Sequence, residues 1–426
     1  MLIPRLNGDV RRTWQVPGSK SITNRALLLA GLGEGTSVIE NVLDSDDTWR
    51  MREGLISLGI GIRDGAPGQL LVEGGRSRLR APAAPIFVGN SGTTVRFLAA
   101  AAVLAPGPVT FVGDEAMSKR PIADLVEGLC QLGVRVDCAS GCPPLTVHGG
   151  SLRGGSIRLR GDKSSQYLTA LLLVAGLGEQ PLDIEIIGEL VSRPYVEMTR
   201  RMVADFGGLI EETRGGFHAK RCQTYRARGY RVEPDASSAS YPLALAACGH
   251  DITVPDLGTR SLQGDIAFTD LLKRMGATVE SGAVITRVIG AGDLAGIDCD
   301  MHHISDTVMT LAAIAPLADG PTTIRNVANI RIKECDRLMA MVTELRRLGQ
   351  EVEHGDDWMR IIPRPLVPAT VECYKDHRIA MSFGVLGAMT GAITIGDPDC
   401  VAKTYPGFWN DLRACYGTGT WPNKAV

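Results

Sequence analysis

The sequence predicts an α/β protein of two domains, each made of three copies of one unit with buried helices and outer sheets. Three observations predict it. A short pattern returns six times at intervals of roughly seventy residues: small polar residues open a small-residue helix, a strand follows, and a second helix ends in apolar-Gly. The first helix of each copy is apolar on all sides, which places it inside a domain beneath other elements. The chain has 426 residues, more than one hydrophobic core supports, and six copies divide into three and three.

The first helix opens in turn at Ser19-Lys20-Ser21, Asn90-Ser91-Gly92, Ser164-Ser165-Gln166, Ser237-Ser238, Ser305-Asp306 and Asp376-His377. It then runs through small and aliphatic residues, as in Arg25-Ala26-Leu27-Leu28-Leu29-Ala30. A Gly-marked turn leads to an alternating strand: Thr36 to Glu40, Val109 to Val112, Ile184 to Ile187, Ile252 to Val254, Thr323 to Arg325 and Ile393 to Ile395. The second helix is amphipathic, as over Arg337 to Leu348, and its terminal glycine supplies a left-handed cap. Those endings are Leu58-Gly59, Leu132-Gly133, Phe206-Gly207, Met275-Gly276, Leu348-Gly349 and Tyr416-Gly417. A further strand follows, as at Val134 to Val136 and Ala277 to Val279, so each unit is βαβαβ-like. The period exceeds the roughly 20–50 residues of solenoids, which favours globular domains. The break falls near Arg231-Val232-Glu233-Pro234, giving one domain over 19–232 and another over 1–18 and 233–426. A first strand around Thr13 to Val16 is open to pairing with either half, so the chain crosses between domains twice.

A net charge of −2 argues against a nucleic-acid or membrane-surface role, so any anion site comes from local clusters of Lys and Arg. The opening Met1-Leu2-Ile3-Pro4-Arg5-Leu6 lacks the apolar core of a signal peptide, and the apolar run Phe97 to Ala105 is about half a membrane span. Ten scattered cysteines, with Cys138 and Cys142 lacking a second pair, read as reduced thiols of a cytoplasmic protein. Adjacent His302-His303 point in different directions on a helix or strand, so no metal is expected.

Helix N-termini carry unpaired N–H groups and positive partial charge, and six could gather around an anion. Charged residues concentrate there and differ between copies: Lys20 and Arg25; Arg96, then Lys119-Arg120; Asp306, then Lys333-Glu334-Cys335-Asp336-Arg337; Asp376-His377-Arg378, then Lys403. Purely structural repeats have little reason to diverge into acids and cations at equivalent positions. The chain reads as a binder of something phosphorylated.

Seven motifs in order carry a resemblance: Val16-Pro17-Gly18-Ser19-Lys20-Ser21 with Asn24-Arg25, Gly89-Asn90-Ser91-Gly92-Thr93 with Arg96, Arg120-Pro121-Ile122, Ser164-Ser165-Gln166, Lys333-Glu334 with Asp336-Arg337, Asp376-His377-Arg378, and Lys403-Thr404. From about residue 13 to 413 the chain resembles the 5-enolpyruvylshikimate-3-phosphate synthases. The resemblance implies two domains of three βαβαββ units, an inside-out α/β barrel, closing over substrates. It implies transfer of the enolpyruvyl group of phosphoenolpyruvate to the 5-hydroxyl of shikimate 3-phosphate, releasing phosphate, in the pathway to chorismate and the aromatic amino acids. No cofactor is implied, and the expectation is a monomer with these two small-molecule partners and no nucleic acid or membrane.

By the same resemblance Lys20, Gly92, Arg120, Gln166, Arg337, Arg378 and Lys403 hold phosphoenolpyruvate. Lys20, Ser21, Arg25, Ser164, Ser165, Gln166, Ser192, Tyr195, Asp306, Asn329 and Lys333 hold shikimate 3-phosphate. Polyanions need cations, and Arg grips carboxylate or phosphate with two parallel bonds. Attack by a neutral hydroxyl needs a base, which Asp306 matches; protonating the methylene carbon needs an acid, which falls on Glu334, sharing with Lys20. The domain over 19–232 is then the shikimate 3-phosphate side, and the other the phosphoenolpyruvate and acid–base side. Asp46 reads as a helix cap, and His377 as an orienting residue.

The family is the target of glyphosate, which competes with phosphoenolpyruvate. Gly92 leaves open the space that an Ala methyl would take in that site, while Phe97, where Pro is common, is expected to tilt the first turn of its helix. Ala116, Ser118, Cys335 and Lys375 are further departures from familiar bacterial members. One alternative is the sister enzyme acting on UDP-N-acetylglucosamine. That family carries a reactive Cys five residues before the Arg-Pro, where this chain has Glu115. Another is a non-catalytic anion-binding module, which would be expected to lose Asp306 or Glu334.

Overall fold

A computed structural model describes residues 1–222, 224–416 and 421. The six first helices are Lys20–Leu32, Gly92–Ala102, Ser165–Ala175, Ala236–Ala247, Val308–Ile314 and His377–Thr390. Gly92–Ala102 and Ala236–Ala247 are buried at every residue, as all-round apolar composition requires. The second helices are Asp46–Ser57, Ala123–Gln131, Arg193–Asp205, Phe268–Arg274, Arg337–Arg347 and Phe408–Arg413. After five of them Gly59, Gly133, Gly207, Gly276 and Gly349 take positive φ, where a side chain would be strained; Gly417, expected to end the sixth, lies outside the described residues.

The chain forms two compact units, Gly18–Glu233 and Met1–Pro17 with Pro234–Val426. Each contains three sheets among the described residues; five follow one plan, and the sixth, of Leu2–Ile3, Ile393–Ile395 and Ala369–Val371, has three strands. Pro108–Val112 runs parallel to Ile86–Phe87, which precedes the buried helix, and antiparallel to Leu145–His148, which pairs in turn with Arg135–Asp137. Gly155–Arg160 with Leu182–Ile187, and Asp298–Asp300 with Thr322–Arg325, open sheets of the same order. Each complete copy is therefore βαβαββ.

Three copies borrow a strand from elsewhere in their own unit. Gly33–Glu40 is joined in parallel by Tyr225–Arg226 and Gly229–Arg231. Asp251–Pro255 is joined in parallel by Arg11–Thr13, and Ile393–Ile395 is joined antiparallel by Leu2–Ile3. The strand expected around Thr13 to Val16 thus lies at Arg11–Thr13, after a first strand at Leu2–Ile3, and it pairs within the unit that contains Pro234–Val426.

Three helix starts depart from the expected pattern. The fourth copy begins at Ala236, capped by Asp235, whose carboxylate accepts from the Ser238 N–H at 2.7 Å. In the fifth, Ser305-Asp306 lies in a 3-10 segment, His302–Thr307, broken at Ile304, and the α-helix starts only at Val308. Ser45 rather than Asp46 caps Asp46–Ser57, in a reciprocal capping box with Thr48. Among the described residues no helix is long and apolar enough to cross a membrane.

Candidate functional site

In the Gly18–Glu233 unit, Lys20 is the first residue of its helix, and its ammonium lies 3.2 Å from Asp47. One turn on, Arg25 is almost fully buried. Its Nε donates to Thr199 Oγ1 at 2.9 Å, Nη1 to the Ser21 carbonyl at 2.9 Å and Nη2 to the Tyr195 carbonyl at 3.3 Å. The guanidinium also stacks 5.2 Å from the ring centroid of Phe97. All these partners are neutral, and burial draws the Arg25 pKa down to about 10. A buried cation balanced by dipoles and a ring face is suited to an incoming anion. Phe97 is fully buried within the helix Gly92–Ala102, and its ring face supports Arg25.

Two further groups lie in the same unit. Arg120 Nη1 donates to the carbonyl and side-chain oxygens of Asn90 at 3.1 and 3.2 Å. A Cβ added at Gly92 would come within 2.5 Å of Arg120 Nη2 and 2.7 Å of its Cζ, so a methyl there meets the Arg120 guanidinium before any ligand. Arg96 donates to Gln166 Oε1 and, at 3.2 Å, to the Pro121 carbonyl, which also accepts from the Tyr167 hydroxyl at 2.8 Å. Ser164 caps the helix carrying Ser165 and Gln166. Ser192 stands before Arg193–Asp205 with φ 51°, and its carbonyl accepts from the Tyr195 N–H at 3.1 Å.

In the other unit six predicted residues meet in one charged network. Arg337, 2 % exposed, donates to Asp376 at 2.7 and 3.3 Å, to Glu334 at 2.9 Å and to Asp306 at 3.3 Å. Arg378 reaches Asp306 at 2.8 Å, Lys333 lies 3.8 Å from Asp306, and Lys403 lies 3.6 Å from Glu334. Asn329 donates to the Ser305 hydroxyl at 3.1 Å, beside Asp306. Burial opposes the Arg337 charge, yet Asp376, Glu334 and Asp306 outweigh it and hold its pKa above the ordinary value. Burial lowers that of Lys333 despite Asp306. Such a network can exchange its carboxylate partners for a ligand's phosphate or carboxylate, leaving two carboxylates for proton transfer.

Sequence reasoning gave no role to Asp47, Arg96 or Asp376, which hold Lys20, Gln166 and Arg337 respectively. Arg96 and Asp376 stood inside recognised motifs, whereas Asp47 looked like one more acid in a helix's first turn.

The sequence model of the family described as EPSP synthase (3-phosphoshikimate 1-carboxyvinyltransferase) matches residues 3–412. A protein of Nostoc sp. named 3-phosphoshikimate 1-carboxyvinyltransferase is 46% identical over 412 residues, covering 96% of this chain and 97% of that one. A protein of the same name from Yersinia pseudotuberculosis is 45% identical over 419 residues, covering 95% and 96%. The solved EPSP synthase of Acinetobacter baumannii superposes with a TM-score of 0.82 at 26% identity over 97% of each chain. The enolpyruvyl transferase NikO of Streptomyces tendae shares the fold, with a TM-score of 0.78 at 20% identity over 97% and 95%. The architecture is the two-domain inside-out α/β fold of the enolpyruvyl transferases. Within that class the chain belongs to the EPSP synthase family.

Proposed function

We infer that this chain is an enzyme that transfers the enolpyruvyl group of phosphoenolpyruvate to the 5-hydroxyl of shikimate 3-phosphate and releases phosphate. In the Gly18–Glu233 unit, Lys20, Gly92, Arg120 and Gln166 are assigned to phosphoenolpyruvate. Lys20, Ser21, Arg25, Ser164, Ser165, Gln166, Ser192 and Tyr195 are assigned to shikimate 3-phosphate. In the other unit, Arg337, Arg378 and Lys403 are assigned to phosphoenolpyruvate, and Asp306, Asn329 and Lys333 to shikimate 3-phosphate.

Asp306 takes the proton of the attacking hydroxyl as its oxygen bonds to the central carbon of phosphoenolpyruvate. Glu334, shared with Lys20, protonates the methylene carbon. The tetrahedral intermediate then loses phosphate and a methyl proton, restoring the double bond. Two carboxylates with different neighbours suit opposite proton roles.

The observation that carries the reading is the single network joining Asp306 and Glu334 to Arg337, Arg378 and Lys403. A module that only held anions would need neither carboxylate. The UDP-N-acetylglucosamine alternative is not favoured: Glu115 stands where that family has its cysteine, and the matching family is EPSP synthase. We further assign the enzyme to the cytoplasm as a monomer open to glyphosate; the near-neutral charge supports small-molecule partners over nucleic acid. The test is phosphate release with shikimate 3-phosphate and phosphoenolpyruvate together. Release with either alone, or only with UDP-N-acetylglucosamine as acceptor, contradicts the reading.

A further inference from the structure

The helix Arg337–Arg347 places Arg337 and Glu344 seven residues apart, about two turns, and therefore on one face. Both ends of that face grip one short segment of chain, Glu372 to Asp376. At one end Arg337 bonds both oxygens of Asp376, which is fully buried. At the other, Glu344 is also fully buried. It accepts from the Tyr374 hydroxyl at 2.7 Å and the Glu372 N–H at 3.1 Å, with Arg347 at 2.8 Å as its cation.

Between these anchors the backbone is strained. Tyr374 and Lys375 follow one another at φ 55° and 54°, left-handed positions that side chains rarely adopt and that persist only when neighbours enforce them. The enforcers are visible. Besides the Glu344 contacts, the Tyr374 N–H donates to the Glu372 side chain at 3.2 Å, and the Asp376 N–H to the Cys373 carbonyl at 2.8 Å. The strained turn delivers Asp376 to Arg337 while its carboxylate caps His377–Thr390 through the Arg378 N–H at 2.9 Å.

We propose that Glu344 and Tyr374 are positioning residues for phosphoenolpyruvate: their hydrogen bond, anchored on the buried Glu344, holds the left-handed turn that aims Asp376 at Arg337. This rests on the assignment of Arg337 to phosphoenolpyruvate. Without the clamp the turn relaxes, Asp376 moves, and Arg337 loses its two-point anchor. Affinity for phosphoenolpyruvate falls, and affinity for shikimate 3-phosphate does not.

The test compares Tyr374→Phe, which deletes only the hydroxyl, with Arg337→Lys and with the double variant Tyr374→Phe plus Lys375→Gly. Steady-state kinetics give KM for phosphoenolpyruvate, calorimetry gives Kd for shikimate 3-phosphate, and melting gives the thermal midpoint. Tyr374→Phe is expected to raise KM for phosphoenolpyruvate about tenfold, the factor matching one hydrogen bond to a charged group, with Kd for shikimate 3-phosphate within about twofold. Glycine adopts the left-handed conformation without strain, so Lys375→Gly recovers most of the lost affinity in the double variant. Glu344→Gln, which weakens the same bond, is read the same way if Tyr374→Phe does not fold. A lower midpoint with unchanged KM, or no recovery by Lys375→Gly, while Arg337→Lys does raise KM, overturns the positioning role alone. An unchanged KM in Arg337→Lys overturns the Arg337 assignment and this proposal with it.

Discussion

Gly92→Ala tests how tightly the Arg120 guanidinium is placed. The new Cβ would sit 2.5 Å from Nη2, 2.7 Å from Cζ and 3.1 Å from Nη1. Carbon contacts relax at about 3.5–4.0 Å, so the guanidinium must retreat by roughly 1 Å. Its bonds to Asn90, at 3.1 and 3.2 Å, would then stretch beyond hydrogen-bond range. Two bonds from a charged donor, at about 1.5 kcal/mol each, correspond to roughly 3 kcal/mol, or on the order of 150-fold. The expected result is a rise in KM for phosphoenolpyruvate of that order, with shikimate 3-phosphate binding unchanged. Glyphosate, read as the longer molecule, weakens more. The backbone at Gly92, the first residue of its helix, accepts Ala, but losing the Arg120–Asn90 bonds lowers the melting temperature. Steady-state phosphate release, with phosphoenolpyruvate varied with and without glyphosate, measures both effects. A folded Gly92→Ala enzyme with unaltered KM for phosphoenolpyruvate would refute the reasoning.

Asp306→Ala and Glu334→Ala are each expected to lower kcat at least ~10²-fold while calorimetry finds shikimate 3-phosphate still bound; normal turnover in either removes that residue from proton transfer. Burial lowers the Lys333 pKa from 10.5, so its charge is lost at a lower pH than an ordinary lysine's. Shikimate 3-phosphate affinity should therefore fall as pH rises toward 10.5, and Lys333→Arg should abolish that fall. The stability sign is opposite: the unfolded lysine holds its proton more tightly, so this group's unfavourable contribution shrinks as pH rises through the same window. Asp376→Asn leaves Arg337 without its closest counter-ion and should cost about 3 kcal/mol or more in urea denaturation; an unchanged midpoint contradicts the anchoring role.

The repeat was legible because the copies need the same physical parts: a polar opening, an apolar buried helix and, in the five copies where it is described, a glycine whose φ is positive. The borrowed strands were not. Leu2–Ile3 and Tyr225–Arg226 have two residues each, too few to show alternation, and their partners lie hundreds of residues away. The break at Ile304, which keeps Asp306 off a regular helix start, has no Pro or Gly to announce it. At the site, the charged residues stood out by type, but their partners did not. Asp47 and Glu344 look like ordinary surface acids until the fold sets them against Lys20 and Tyr374. Phe97 was read along its own helix, whereas its contact is Arg25 on another.

The most direct test of the account is the fate of the central carbon of phosphoenolpyruvate. With that carbon isotopically labelled, the enzyme is mixed with shikimate 3-phosphate and the products are followed by carbon and phosphorus NMR. The account predicts one inorganic phosphate released for each labelled enol ether formed on the 5-hydroxyl, and no reaction when shikimate 3-phosphate is left out. Label remaining in phosphoenolpyruvate, or appearing in free pyruvate while shikimate 3-phosphate is unchanged, would contradict it.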